Sequence, residues 1–391
     1  FNGALDEFPF DNGEGVFRIE ARLQDAILKY SDNWPAPEFR HLDLVVDGMR
    51  LYSQVNSAVN LGNEVENARI EIADLRDPIL EIEAFATGTL ETIKNYVANS
   101  PIDNVLGGQI NRVTVDGDAS FDLEVTYPIQ DKEAYDYATR IRLSDGMLRV
   151  QGLAPPITEL NGVVTVTRSD ATSDSLFGRF LGQTVDLDLQ RIGDEQSPYS
   201  VILNAVGRTT ADALAAEFGV PVSNVLSGDA DYVATVRFPN GRGPQPGPLQ
   251  IQVESDLFGM RSDLPAPLGK SDEESLPMTL SIEFPAQERI TAAGTFADDL
   301  SWRANFLKAE GAWDFDRGVL AVGGAEPRDP EVRGLHIHGQ TADLDLHAWL
   351  AAGRSGDRQM GLGDRIRSIE IDVERFFAIG QKFTDQRIVV N

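Results

Sequence analysis

The chain has 391 residues, of which 42% are hydrophobic, with 35 Gly, 20 Pro and no Cys, an apolar share that supports a folded core rather than a disordered chain. Asp and Glu number 62 against 34 Lys and Arg, a formal charge of −28, so phosphate backbones are repelled and nucleic-acid binding is disfavoured, as is broad adhesion to anionic headgroups. The missing cysteines exclude disulfides, thiolate zinc sites and a Cys nucleophile, and no apolar run approaches the roughly 18 residues that a spanning helix needs.

Strand text opens the chain. Phe17, Ile19, Ala21 and Leu23 alternate with Arg18, Glu20 and Arg22, and Leu42, Leu44 and Val46 alternate with Asp43 and Asp47. Period-two alternation with acids on the second face is the mark of half-buried antiparallel strands. Residues 89–99 (TLETIKNYVAN) read as a short helix with Thr89 as N-cap. Strand text resumes at Phe121, Leu123, Val125 and Tyr127, returns at Val185, Leu187 and Leu189, and is followed by a second short helix over 210–218, with Thr210 at its start and Gly219 as a C′ glycine. Further alternation covers Met278, Leu280, Ile282 and Phe284, and then Ile369, Ile371 and Val373. Asp47-Gly48, Asp116-Gly117, Asp145-Gly146, Asn161-Gly162 and Asn240-Gly241 read as turns between strands. Loops are expected at 190–199, 239–249 and 351–364.

An internal repeat follows the two helices. Pro101 to Gly108 and Pro221 to Gly228 share the pattern P-[IV]-x-N-V-L-x-G, and Gly117-Asp118-Ala119 returns as Gly228-Asp229-Ala230. The blocks recur roughly 110–120 residues apart, as in stacked units that build one sheet. This gives an expectation of a single elongated body over 1–391 with repeat units near 1–128, 129–239 and 240–391.

Catalytic signals are weak. His336 and His338 share a strand face and lack a third ligand in register, His347 follows Asp343 and Asp345 on what reads as a strand, and His41 stands apart. The chain has no G-x-S-x-G elbow, no phosphate-binding loop and no dinucleotide fingerprint; Gly361-Leu362-Gly363 reads as a flexible loop. Trp34, Trp302, Trp313 and Trp349 sit near strand ends or turns. No enzyme activity, metal or cofactor is expected.

Five stretches together resemble the YhdP family of AsmA-like proteins: 333–350 (RGLHIHGQTADLDLHAWL), Leu264 to Lys270 after Asp256-Leu257-Phe258-Gly259, Pro155-Pro156-Ile157 through Asn161-Gly162, Ser100-Pro101-Ile102 after a helix, and 376–387 (FFAIGQKFTDQR). The resemblance implies a mostly β fold, an elongated, curved antiparallel sheet forming a U-shaped β-groove with a few short helices. It implies a non-enzymatic phospholipid conduit between the inner and outer membranes of a Gram-negative envelope, located in the periplasm, with the inner-membrane anchor and both membrane contacts in missing parts of a longer parent. Acyl chains are then the partner, and the groove candidates are Phe17, Ile19, Leu42, Leu44, Leu123, Val125, Val185, Leu187, Leu189, Leu280, Ile282, Phe284, Leu344, Leu346, Ile369 and Ile371. The alternatives are an AsmA-like periplasmic scaffold for outer-membrane assembly and, from another class, a polysaccharide-active β-solenoid. The residues themselves leave open whether the alternating face lines a groove or fills a dry core.

Overall fold

A computed structural model describes residues 1–151, 155–194, 196–218, 225–286, 288–297, 299–309, 312–355 and 365–390. Among these residues the fold is mostly β, with twenty-two strands in one mixed sheet and a few short helices. The chain divides into two compact units, one of Phe1–Arg179, Leu187–Val201 and Asn240–Pro246, the other of Phe180–Asp186, Ile202–Pro239 and Gly247–Asn391.

The first unit runs β1 (Arg18–Ile27), β2 (Glu38–Asp47), β3 (Arg50–Val55), β4 (Ala58–Asn60), β5 (Asn63–Ile72), β6 (Ile79–Thr89), helices α1 (Leu90–Ala98) and α2 (Ile102–Val105), β7 (Val113–Pro128), β8 (Asp136–Val150), β9 (Ile157–Thr167) and β10 (Ala171–Phe180). From β5 to β10 each strand pairs antiparallel with the next. Alternation places Ile70, Ile82, Val125 and Tyr137 in one cross-strand row and Ala68, Ala84, Leu123 and Thr139 in the row beside it. Helix α1 lies on this apolar face. Thr89 caps it by accepting from the Thr92 amide at 3.2 Å, and Leu90, Ile93, Tyr96 and Val97 are buried in the same core as Phe121 and Leu123.

Three of the expected turns are β-bulges instead. Asp116-Gly117 lies inside β7, Asp145-Gly146 inside β8 and Asn161-Gly162 inside β9. The register shifts at these points fall opposite one another across the strands. Gly117 and Gly162 take positive φ, and a Cβ on Gly117 would stand 2.8 Å from the Gly146 backbone. A bulge bends and twists its strand, so a column of them bends four neighbours together. Gly146 leaves the room that Leu90 of α1 occupies, because a Cβ there would meet Leu90 Cδ1 at 2.7 Å. The same Asp-Gly and Asn-Gly pairs that favour turns also suit bulges, which is why local sequence reads them wrongly.

Strands β11 (Gln183–Arg191) and β12 (Tyr199–Thr210) are divided between the units. The second unit continues with α3 (Ala211–Phe218), β13 (Leu226–Pro239), β14 (Leu249–Ser255), β15 (Met260–Ser262), β16 (Met278–Ala286), β17 (Arg289–Phe296), β18 (Leu300–Ala309), β19 (Ala312–Val322), β20 (Gly334–Asp345), α4 (Leu346–Ser355), β21 (Ile366–Ala378) and β22 (Gln381–Val390). The Thr210 hydroxyl caps α3 through the Ala213 amide at 3.1 Å, as its sequence implies; Gly219 and residues 221–224 of the second repeat block lie outside the described residues.

The sheet departs from the expected all-antiparallel pairing at one place: β20 runs parallel to both β19 and β21. Parallel neighbours need a crossover, and residues 323–333 supply one while α4 begins the other. Helix α4 overrides the strand reading from Leu346 onward, while Leu344 and Asp345 stay on β20. The Asp345 carboxylate accepts from the amides of His347 and Ala348 at 2.9 and 3.0 Å, which caps a helix and takes Leu346, His347 and Trp349 off the strand. The expected loop over 351–364 is therefore helical through Ser355, and 356–364, with Gly361-Leu362-Gly363, lies outside the described residues.

Asp103, at the start of α2, is a buried carboxylate of the first unit. It accepts from the Ile110 amide at 3.4 Å and pairs with Arg242 at 3.4 Å. Burial pushes its carboxyl above the ordinary range, against the pull of the Ile110 amide and Arg242. The folded chain then holds this proton more tightly than the unfolded one, so stability falls as pH rises from the ordinary carboxylate range through the raised value. Asp103→Asn is expected to flatten that part of the stability profile, measured by denaturant unfolding across pH; an unchanged slope refutes it.

Candidate functional site

A continuous apolar surface lies on one face of the second unit. Cross-strand register builds it in rows. Val236, Ile251, Ile282, Ala292, Ala304, Gly318 and Leu335 face one another from β13 to β20. The adjoining row runs from Val253 through Leu280, Gly294, Trp302, Leu320, Ile337 and Ile369 to Val390 on β22. On the opposite face Thr279 bonds Thr295 at 2.8 Å and the Gln250 amide donates to Glu283 at 3.0 Å, while β19 places the buried Val319 and Ala321 there.

Most of the apolar rows are half-buried rather than sealed. Leu280, Ile282, Phe284, Trp302 and Phe306 all keep contact with solvent. Gly294 lets an aromatic ring lie flat on the floor of this face, since a Cβ there would approach Trp302 Nε1 to 2.9 Å and the Thr279 carbonyl oxygen to 2.5 Å. Beyond Val373 the strand alternation brings Arg375 and Asp343 onto the same side, where the guanidinium Nε donates to the carboxylate at 2.6 Å and holds that carboxyl below its usual range. The oily rows thus end at an ion pair.

The first unit presents the opposite arrangement. Its equivalent face is closed by α1, and what remains beneath is a cavity of about 50 Å³ bounded by Tyr30, Phe39, Ile70, Ile82, Tyr96 and Phe121. That space takes a few water-sized spheres and no acyl chain.

The candidate residues therefore occupy different environments. Leu42, Leu123 and Val125 are buried in the core of the first unit, Leu44 is half-buried beside them, and Phe17 precedes β1 with its ring against Phe8. Ile19 shares the Leu42 face through the edge strand β1 and is 49% exposed. Val185 and Leu187 on β11 are buried and Leu189 is half-buried. In the second unit Leu280, Ile282, Phe284 and Ile369 are half-buried on the apolar face, and Ile371 on the same face is buried. Leu344 alternates onto the opposite side of β20, and Leu346 is an exposed residue of α4. Row residues outside the sequence-based groove candidates include Val236, Ile251, Val253, Leu335 and Ile337, together with Ala292, Gly294, Ala304, Gly318 and Leu320, whose strands carry small residues in place of a clean aliphatic alternation.

Polar chemistry does not converge on a centre. His336 shares a 2.8 Å hydrogen bond with Ser368, and among the described residues no group of three or more His, Asp or Glu is placed to hold a metal. Among those residues no helix is long and apolar enough to cross a membrane.

The family described as "YhdP protein" matches residues 1–391. The chain belongs to the YhdP family. A curated relative, the "Intermembrane phospholipid transporter YhdP" of Escherichia coli (strain K12), is 24% identical over 365 residues. That match covers 91% of this chain and 28% of the relative, so the chain spans well under a third of the length of that YhdP. No solved structure matches this chain.

Proposed function

We propose that this chain is a non-enzymatic segment of a phospholipid conduit, and that acyl chains lie along the half-exposed apolar face of the second unit. The observation that carries the reading is the continuous series of apolar cross-strand rows from β13 to β22, most of them half-buried, which meet the Arg375–Asp343 ion pair at β20 and β21. A two-chain lipid of about 32 methylene-sized groups loses on the order of 25 kcal/mol if all of them enter water, at roughly 0.8 kcal/mol each. A conduit must therefore offer oily surface at every step while the headgroup stays wet. Strands of ten residues, such as β18 (Leu300–Ala309), provide about 33 Å of such surface at roughly 3.3 Å per residue. The chain's net charge of −28 disfavours broad adhesion of anionic headgroups, whereas the apolar face attracts acyl chains.

The family's curated relative is named as an intermembrane phospholipid transporter, and the corresponding setting for this chain is the periplasm, in a parent anchored at the inner membrane. Organic extraction of the purified chain, followed by lipid mass spectrometry, is expected to recover phospholipid. Recovery of none, from chain expressed where phospholipid is abundant, overturns the proposal.

A further inference from the structure

The β21–β22 hairpin breaks a local rule at its tip. Its two turn residues, Ile379 and Gly380, have φ of +52° and +71°, the sign pattern of a type I′ turn. Such turns favour Asn-Gly or Asp-Gly, because a β-branched side chain in the left-handed region clashes with its own backbone. Ile379 is nevertheless 96% exposed, so no core contact within the described residues compensates for that cost. Leu61 and Leu181 take the same backbone conformation at their turns, but Ile379 is β-branched and far more exposed than Leu61.

Its surroundings say what that exposure serves. Phe377 and Phe383 flank the turn and are exposed; Leu346 and Leu350, one turn apart on α4, are exposed as well, and Leu346 follows Asp345, the residue paired with Phe377. From Arg375 to Thr384 the hairpin carries Arg375 and Lys382 and no carboxylate, in a chain of net charge −28. Asp343 is paired with Arg375 and Asp345 is engaged as the α4 cap, while Glu374 and Asp385 lie about five residues back along the strands, roughly 16 Å from the tip. A protruding two-residue turn has far less area than the roughly 800 Å² per partner that a stable protein interface buries. A bilayer surface, by contrast, accepts single apolar side chains at the acyl boundary and basic ones at the phosphates.

The geometry points to the β21–β22 tip as a membrane-contact site, with Ile379, Phe377 and Phe383 entering the interface of an anionic bilayer and Lys382 reaching its phosphates. The inference stands independently of the conduit reading, which concerns the sheet face.

The chain has no cysteine, so Ile379→Cys carries a single environment-sensitive fluorophore. With vesicles of phosphatidylethanolamine and phosphatidylglycerol, its emission is expected to shift to the blue; with pure phosphatidylcholine the shift is smaller. Ile379→Asn separates this role from folding, because Asn suits the left-handed turn. It is expected to raise the thermal midpoint and to weaken vesicle co-sedimentation roughly tenfold, the worth of one buried aliphatic side chain. Co-sedimentation equal to that of the unaltered chain, or a fluorophore blind to both vesicle types, overturns the assignment whether or not lipid is extracted from the sheet. A fluorophore silent to vesicles and responsive only to added envelope protein overturns it in favour of a protein partner.

Discussion

Ile282→Asp is expected to strip co-purifying phospholipid from the chain by roughly tenfold or more while leaving it folded, because an ionised carboxylate in contact with an acyl chain is strongly disfavoured. Ile282 sits mid-row between Ile251 and Ala292 and is half-buried, so the new carboxylate reaches water and the cost to stability stays near 1–2 kcal/mol. Leu187→Asp is the informative contrast. Leu187 is buried, and a charge there has no solvent to reach, so the substitution costs several kcal/mol out of a typical total of about 5–15. Loss of lipid in Leu187→Asp thus reports unfolding, whereas loss in Ile282→Asp reports the surface itself. Circular dichroism and denaturant midpoints separate the two. Full lipid content in a folded Ile282→Asp chain sinks the idea that acyl chains lie on these rows.

Alternation made the strands legible, since a face that repeats every second residue is written into Leu280, Ile282 and Phe284 as into Leu123, Val125 and Tyr127. Two helix starts were legible through Thr89 and Thr210, whose hydroxyls do cap α1 and α3. What alternation cannot express is the fate of the apolar face, because Leu123 under α1 and Leu280 on an uncovered sheet carry the same local pattern. The turn glycines failed for a related reason: Asp145-Gly146 satisfies a positive-φ bulge as well as a hairpin, and the choice is made by the neighbouring strands. The parallel strand β20 was hidden because residues 323–333 and α4 reverse the chain without any signal of direction in the strands they join. A further regularity passed unseen. Leu61-Gly62, Leu181-Gly182 and Ile379-Gly380 are all positive-φ pairs with an apolar first residue followed by Asn or Gln, at the turns joining β4 to β5, β10 to β11 and β21 to β22.

Helix α1 sets the second large effect. Ile93 and Tyr96 point from its buried side into the sheet, with the Tyr96 ring 5.4 Å from that of Phe121 and the small apolar cavity beneath. Truncating either to Ala removes buried apolar volume and leaves a void, at about 2–5 kcal/mol each. The two are neighbours in one packing site, so the double variant costs less than the separate costs combined. The expected result for Ile93→Ala with Tyr96→Ala is an earlier unfolding transition in denaturant, together with new binding of a hydrophobic dye. The second readout decides what the helix is for. If α1 only stabilises, the loosened face collapses and phospholipid content per chain is unchanged. If α1 closes a face able to hold acyl chains, the same variant gains phospholipid, because the rows through Val125 and Leu123 have the apolar continuity of the open rows in the second unit. A double variant with an unaltered transition and no dye binding would falsify the placement of α1 as the cover of this face.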